Sequence, residues 1–448
     1  MRIPESINKA LGVLARGGFE GWLVGGCVRD SLMGKQPHDW DVTTAALPGE
    51  MLSLFADYKL IETGLKHGTV TVVIDGEPIE ITTFRIDGEY RDNRRPVSVS
   101  FTSELSEDLS RRDFTVNAMA FSPQKGICDL FGGREDLDAG VIRCVGDPDR
   151  RFAEDGLRIL RALRFASVLD FEIAEGTSES VRRNRELLRN ISAERIFSEF
   201  VKLLCGAGAE RILRSFPEVI AVFVPEIMPC VGFPQNTPWH DRDVWEHTVA
   251  AVNAAERDPI MRLSMFFHDL GKPACFTEEN GIAHFRGHPA ESARIAGDVL
   301  SRLKSDNATA KTVKTVVAAH EETVRMPAEV IPVKRLVRRY GYENSLRLLA
   351  SARADLAAKP HIPGAAEKLD RIERIVEGLR AGNACVDLGG LAVGGRELIE
   401  AGVPKGKTVG EILEKLLSLV IEERVENERS ALIKTAEALT ERAKREEN

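Results

Sequence analysis

A chain of 448 residues is too long for one hydrophobic core, and roughly two to four domains are expected. Hydrophobic content of 43%, charged content of 29% and a net charge of −8 describe an ordinary soluble globular protein. That balance argues against a dedicated nucleic-acid coat and leaves room for a local basic groove. No run of 18 apolar residues occurs, so no membrane span is expected. The opening stretch, MRIPESINKALGVLARGGFEGW, lacks an apolar core and a small-residue cleavage site, so no signal peptide is expected. The seven cysteines are scattered without a C-x-x-C pair, which suits free thiols in a reducing cytoplasm.

In chain order, helices are expected at 4–17 and 48–56, flanking strands at WLVGG, WDVTT, TVTVVI and PIEITTF. "IDGEPIEI" reads as a hairpin turning near Asp75-Gly76. From about 150 to 225 the pattern becomes helical, with apolar spacings of three and four in "AEDGLRILRALRFASVL". "PCVGFPQNTPW" reads as a linker, a second helical region runs from about 240 to 365, and "AGNACVDLGGLAVGG" breaks it from a charged helical tail. The fold class expected is α+β. A head with a small mixed sheet and flanking helices (1–145) precedes a helical neck (146–235), a helical domain (236–380) and a helical tail (381–448).

Asp39 and Asp41 in "HDWDVTT" are one residue apart in a strand-like run, and alternation along a strand points both to one face. Two such carboxylates repel unless a cation sits between them. A hard divalent ion with oxygen ligands, typically Mg²⁺ carrying nucleotide phosphates, is the economical partner. Glu80 in "IEITTF" is the candidate third carboxylate, on a neighbouring strand. Gly25 and Gly26 let backbone approach a triphosphate, and Arg29 follows at the start of a helix. The chemistry expected is metal-assisted nucleotidyl transfer.

"GGCVRD…HDWDVTT", "RRDFTVNAMAF", "EDGLRILRALRF" and "ERIFSEF" occur in the order found in the class II tRNA nucleotidyltransferases, the CCA-adding enzymes, which this chain resembles. The resemblance is close over residues 20–200 and looser beyond. It implies that Asp39 and Asp41 hold the metal, with Glu80 third. It implies that Gly26, Arg29, Arg112, Asp113 and Asn117 face the nucleotide, and that Asp155 and Arg158 read the base with Arg161 and Arg164 beside them. It further implies CTP and ATP as substrates and the acceptor arm of tRNA as partner. Glu194 and Arg195 match the last motif, which braces a helix. The superfamily also holds poly(A) polymerases and CC-adding enzymes. The mixed-charge segment from Arg85 to Arg95 resembles the flexible loop of full CCA-adding enzymes and favours addition of both bases. A reading of another class is a phosphohydrolase whose head only docks RNA.

The Asp155–Arg158 reading has its own physical logic. Three apart on a helix, they share a face. Cytosine and adenine each present an amino donor beside a ring-nitrogen acceptor, matching a carboxylate beside a guanidinium. Uracil and guanine set a carbonyl against the carboxylate, a mismatch of about 1–3 kcal/mol. Residues 150–195 hold ten arginines against eight acids and no lysine, and arginine suits forked contacts to phosphate and bases.

Seven of the nine histidines fall between 240 and 361. His247, the adjacent His268-Asp269 of "FFHDLGKP", and Asp355 suit one divalent metal, with imidazole favouring a transition ion. His288 and His320 extend the set to two metals. This H…HD…D pattern resembles the HD phosphohydrolase domain, which implies phosphatase or 2′,3′-cyclic phosphodiesterase chemistry.

Overall fold

The computed structural model describes residues 1–88, 90–91, 95–96, 98–236 and 241–446. They form two compact units, one of Met1–Met228 with Arg302–Ser305, the other of Pro229–Ser301 with Asp306–Asn448.

The first unit is built on a seven-stranded mixed sheet. Its strands are β1 Gly21–Val24, β2 Asp41–Thr44, β3 Lys59–Ile61, β4 Thr69–Ile74 and β5 Glu77–Thr83. After β6 Arg85–Asp87, β7 Tyr90–Arg91, β8 Arg95–Pro96 and β9 Val99–Phe101 come β10 Met119–Ser122 and β11 Gly126–Asp129. The sheet order is β11-β10-β1-β2-β5-β4-β3. β4 and β5 form the expected hairpin, turning through left-handed backbone at Asp75 and Gly76. β2 and β5 pair in parallel, with Asp41 opposite Glu80. The helix Glu5–Arg16 buries Ile7, Ala10, Leu11 and Leu14, spaced three and four apart, against this sheet. On the other side of β1, Trp22 and Val24 pack with Phe84, Leu109 and Ala120.

Three local expectations are corrected. Asp39 lies ahead of β2, which begins at Asp41, so the two carboxylates do not share a strand. The run "AEDGLRILRALRF" is not one helix: Pro148–Glu154 and Leu157–Leu169 are separate, and Asp155 between them is extended (φ −137°, ψ 104°). The chain beyond the head is not purely helical, because β12 Val141–Ile142 pairs with β13 Glu172–Ile173 and β14 Thr277–Glu279 with β15 Ile282–His284. Within the loop expected at Arg85–Arg95, β6 pairs with β9 and β7 with β8. Residues 89 and 92–94 of that loop lie outside the described residues.

The second unit is largely helical and holds several apolar clusters, two of them the larger. One gathers Val333, Leu349, Leu369, Ile372 and Val376; the other gathers Leu398, Ile412, Leu416 and Leu432. Its longest helix, Val330–Ala357, kinks at Gly341, where φ is +75°. Among the described residues no helix is long and apolar enough to cross a membrane.

Candidate functional site

Parallel pairing brings Asp41 and Glu80 side by side on one sheet face. Asp39 joins them in an open cleft of about 690 Å³, also lined by His38, Trp40 and Thr71. The tip of Asp41 reaches solvent. Desolvation by the cleft pushes its carboxyl up from the usual range; Arg112 works against that, and Glu80 and Asp39 add to it. Among the described residues, the three carboxylates are not drawn within 4.8 Å of one another; that convergence occurs only in the second unit. The head cleft thus gathers three like charges without bringing them into mutual contact.

Gly25, which follows β1, has φ +74°, and a Cβ there would stand 3.1 Å from Arg112. Glycine thus serves both the left-handed turn and the close approach of that guanidinium. Gly26 opens the helix Gly26–Leu32 that carries Arg29. Arg29 Nη1 donates to Asn117 Oδ1 (2.6 Å) and its Nε to Asp30 (2.8 Å). Asn117 Nδ2 donates to Asp113 Oδ1 (3.2 Å), and Arg161 donates twice to Asp113 Oδ2 (2.8 and 2.6 Å). Burial alone raises the Asp113 carboxyl, but Arg161 and Arg158 hold it down at about 2. Arg29, Asn117, Asp113 and Arg161 thus form one continuous chain of contacts from the helix Gly26–Leu32 to the helix Leu157–Leu169.

Asp155 and Arg158 are not a pair. Because Asp155 is extended in the break between helices, its Oδ1 caps the amide of Leu157 (3.1 Å) and its Oδ2 meets Arg195 (3.0 Å). Arg158 Nη1 donates to Glu154 (2.7 Å) and to the Arg151 carbonyl (3.3 Å), and its Nη2 donates to the Arg111 carbonyl (2.8 Å). Arg164 Nε donates to Glu199 (2.8 Å). Glu154 and Arg195 are therefore supporting residues. Sequence reasoning left Glu154 unassigned, although it adjoins Asp155 and lies four before Arg158, a spacing that signals such a pair.

In the second unit, His247, His268 and Asp355 form one group of potential ligands, and Asp269, His288 and His320 another. All six residues are more than nine-tenths buried. His247 Nε2 lies 2.9 Å from Asp355 Oδ1 and 3.3 Å from His268 Nε2. Asp269 stands between the groups: its Oδ2 is 3.2 Å from His268 Nε2, and its Oδ1 is 3.2 Å from His288 Nε2. His268, His288 and His320 each set Nδ1 against the carbonyl three residues back, at 2.7, 2.9 and 2.7 Å. Donation of Nδ1–H to those carbonyls turns each Nε2 inward. Burial pushes His320 down to about 3. Burial also lowers His268, but Asp269 and Asp355 outweigh it and hold it up at about 9. Asp269 Oδ2 is buried and accepts no well-directed hydrogen bond, although Lys272 Nζ is 2.7 Å away. Lys359 Nζ sits 2.6 Å from Asp355 Oδ2. Inward imidazole nitrogens gathered with buried carboxylate oxygens are donor types a transition ion takes. Neither lysine was singled out from the sequence; Lys272 stands in "HDLGKP", and Lys359 lies one turn after Asp355.

A model of the Poly A polymerase head domain matches residues 21–143. A "Probable RNA and SrmB- binding site of polymerase A" matches 170–227, and tRNA nucleotidyltransferase domain 2 matches 277–436. The CCA-adding enzyme of Lactobacillus delbrueckii subsp. bulgaricus is 35% identical over 442 residues, 96% of this chain and 98% of the relative. That of Geobacillus thermodenitrificans is 35% identical across 95% of each chain. The crystal structure of the Bacillus stearothermophilus CCA-adding enzyme in complex with CTP matches with a TM-score of 0.76 at 30% identity, over 100% of both chains. The fold is also that of the Thermotoga maritima CCA-adding enzyme complexed with tRNA, at a TM-score of 0.61 and 23% identity over 98% and 96% of the two chains.

Proposed function

The chain belongs to the family of CCA-adding enzymes, and from that premise we propose that it completes the 3′ end of tRNA, adding C, C and A from CTP and ATP without a nucleic-acid template. The observation that carries this reading is the Asp41–Glu80 register, with Asp39 in the same cleft. Nucleotidyltransferases of this kind use divalent metals, and Asp39 and Asp41, with Glu80 beside them, would hold Mg²⁺. Bound there, the ion supplies charge neutralisation for the attacking 3′ hydroxyl and the departing pyrophosphate. Gly25, Gly26, Arg29 and Arg112 face the triphosphate, and Asp113 and Asn117 hold the sugar side. Arg161 and Arg164 line the base side.

Asp155 and Arg158 read the base as separately braced groups. A carboxylate has about four lone-pair sites, and the amide of Leu157 and Arg195 engage two, leaving acceptors for an amino group. Arg158 commits three of its five N–H donors to Glu154 and two carbonyls, leaving donors for a ring nitrogen. No disulfide forms among the seven cysteines of the described residues, which supports a reducing, cytoplasmic setting.

Primer extension on tRNA ending before its CCA tests the reading. Two residues from CTP, then one more once ATP is supplied, are expected. A stop at two with ATP present identifies a CC-adding enzyme, and a ladder with ATP alone identifies a poly(A) polymerase.

A second reading rests on the inward Nε2 atoms of the second unit. His247, His268, Asp269 and Asp355 would hold one divalent transition ion and, with His288 and His320, a second, as an HD-type phosphohydrolase centre. Metal content by mass spectrometry and hydrolysis of a 2′,3′-cyclic nucleotide test it. Both are expected to fall to background in Asp269→Asn, and a wild-type protein without bound metal overturns the reading.

A further inference from the structure

Phe165 lies on the helix Leu157–Leu169, 5% exposed, at a point where three arginines meet. The guanidinium carbon of Arg164 is 3.5 Å from its ring centroid, and those of Arg29 and Arg161 are each 5.2 Å from it. All three lie within the ~6 Å at which the negative face of an aromatic ring attracts a cation. Arg29 arrives from the helix that follows Gly25, whereas Arg161 and Arg164 belong to the ring's own helix.

Each guanidinium also has an anion: Asp30 for Arg29, Asp113 for Arg161 and Glu199 for Arg164. Those ion pairs use N–H donors. A ring face attracts the guanidinium plane without using any, so the remaining in-plane donors stay available. Three like charges gathered at one place also repel. The carboxylates offset that repulsion at the outer ends, and the ring offsets it where the cations converge. Phe114 fixes the ring in turn, through an edge contact with centroids 5.7 Å apart.

We propose that Phe165 is a positioning residue for nucleotide addition, its ring holding Arg29, Arg161 and Arg164 in fixed orientations toward the incoming nucleotide. This rests on the reading that those arginines face the nucleotide. A large apolar residue at this position would fill the same space; only an aromatic face holds the cations.

The test separates shape from ring charge. Kinetics of CTP and ATP addition are measured for wild type, for Phe165→Leu, and for protein carrying pentafluorophenylalanine at 165. The fluorinated ring has nearly the same shape and a reversed face potential. In both altered proteins KM for both nucleotides is expected to rise about tenfold, with a smaller change in kcat. The fluorinated protein is expected to keep its thermal midpoint, so it carries the test even if the leucine variant fails to fold. Wild-type KM in the fluorinated protein, beside a normally active wild type, overturns the positioning role and leaves the site reading standing. A wild type that adds neither C nor A overturns the site reading and this inference with it.

Discussion

Asp41 and Glu80 face each other across a parallel strand pair, and two carboxylates so placed repel unless a cation joins them. Asp41→Asn keeps the shape and removes the charge, so nucleotide addition should fall at least ~10³-fold, about 4 kcal/mol of barrier. Binding of tRNA should survive, and single-turnover extension beside a filter-binding assay checks both. Asp155→Ala removes an acceptor and releases Arg195. Discrimination of CTP over UTP should drop by about 1–3 kcal/mol, roughly 5- to 150-fold, in a paired comparison of kcat/KM. Lost discrimination without lost stability would assign Asp155 to the base; equal loss for both nucleotides would assign it to bracing alone.

Elements decide whether such residues meet at all. Gly271 lies in the loop after His268-Asp269, and a Cβ there would stand 2.6 Å from the Ser292 amide and 2.8 Å from the His288 carbonyl. Gly271→Ala should push the helix His288–Arg302 away, carrying His288 off Asp269. Lower metal content and a loss of stability of about 1–3 kcal/mol are expected, read by mass spectrometry and denaturant titration. Much of the elements' arrangement was legible from local pattern. The alternation in "TVTVVI", the Asp75-Gly76 turn and the apolar spacing of residues 5–16 each record one physical constraint along a short stretch. Asp39 was misplaced because strand geometry was extended two residues past the point where pairing begins. The break at Asp155 was hidden because apolar spacing continues through it, while the extended backbone is held by Arg195, forty residues away. β10 and β11 escaped notice because "MAFS" and "GICD" are four-residue runs whose strand character comes from their partners. The histidine cluster was legible as a list of residues; which imidazoles share which carboxylate oxygen depends on helix packing.

At the scale of the molecule, the carboxylate cleft and the histidine cluster are each built from residues of a single compact unit. Asp269→Asn should therefore leave CTP and ATP addition at wild-type level while abolishing metal uptake in the second unit, measured on one preparation. Acid sensitivity is shared: against the upward push of burial, neighbouring cations hold Asp269 and Asp355 of the second unit well below the usual carboxylate range, and in the first unit Asp113 is held down likewise. Asp113 is held at about 2, below an unfolded value of about 3.9, so its ionised form stabilises the fold above that unfolded value. That contribution, on the order of 2 kcal/mol, is lost as pH falls from about 4 through 2. Asp113→Asn should flatten the acid limb of a stability-versus-pH curve over that window. The parallel register of β2 and β5 also sets what insertions the gene can tolerate. Because side chains alternate, one residue added between Gly76 and Glu80 turns the glutamate to the opposite sheet face; two restore the face but slide it about 7 Å along the strand. Ile79 and Ile81 flank Glu80 and are buried, so the same one-residue slip turns the apolar face of β5 outward; the odd-or-even count that aims the carboxylate is also the count that keeps the core of the sheet closed.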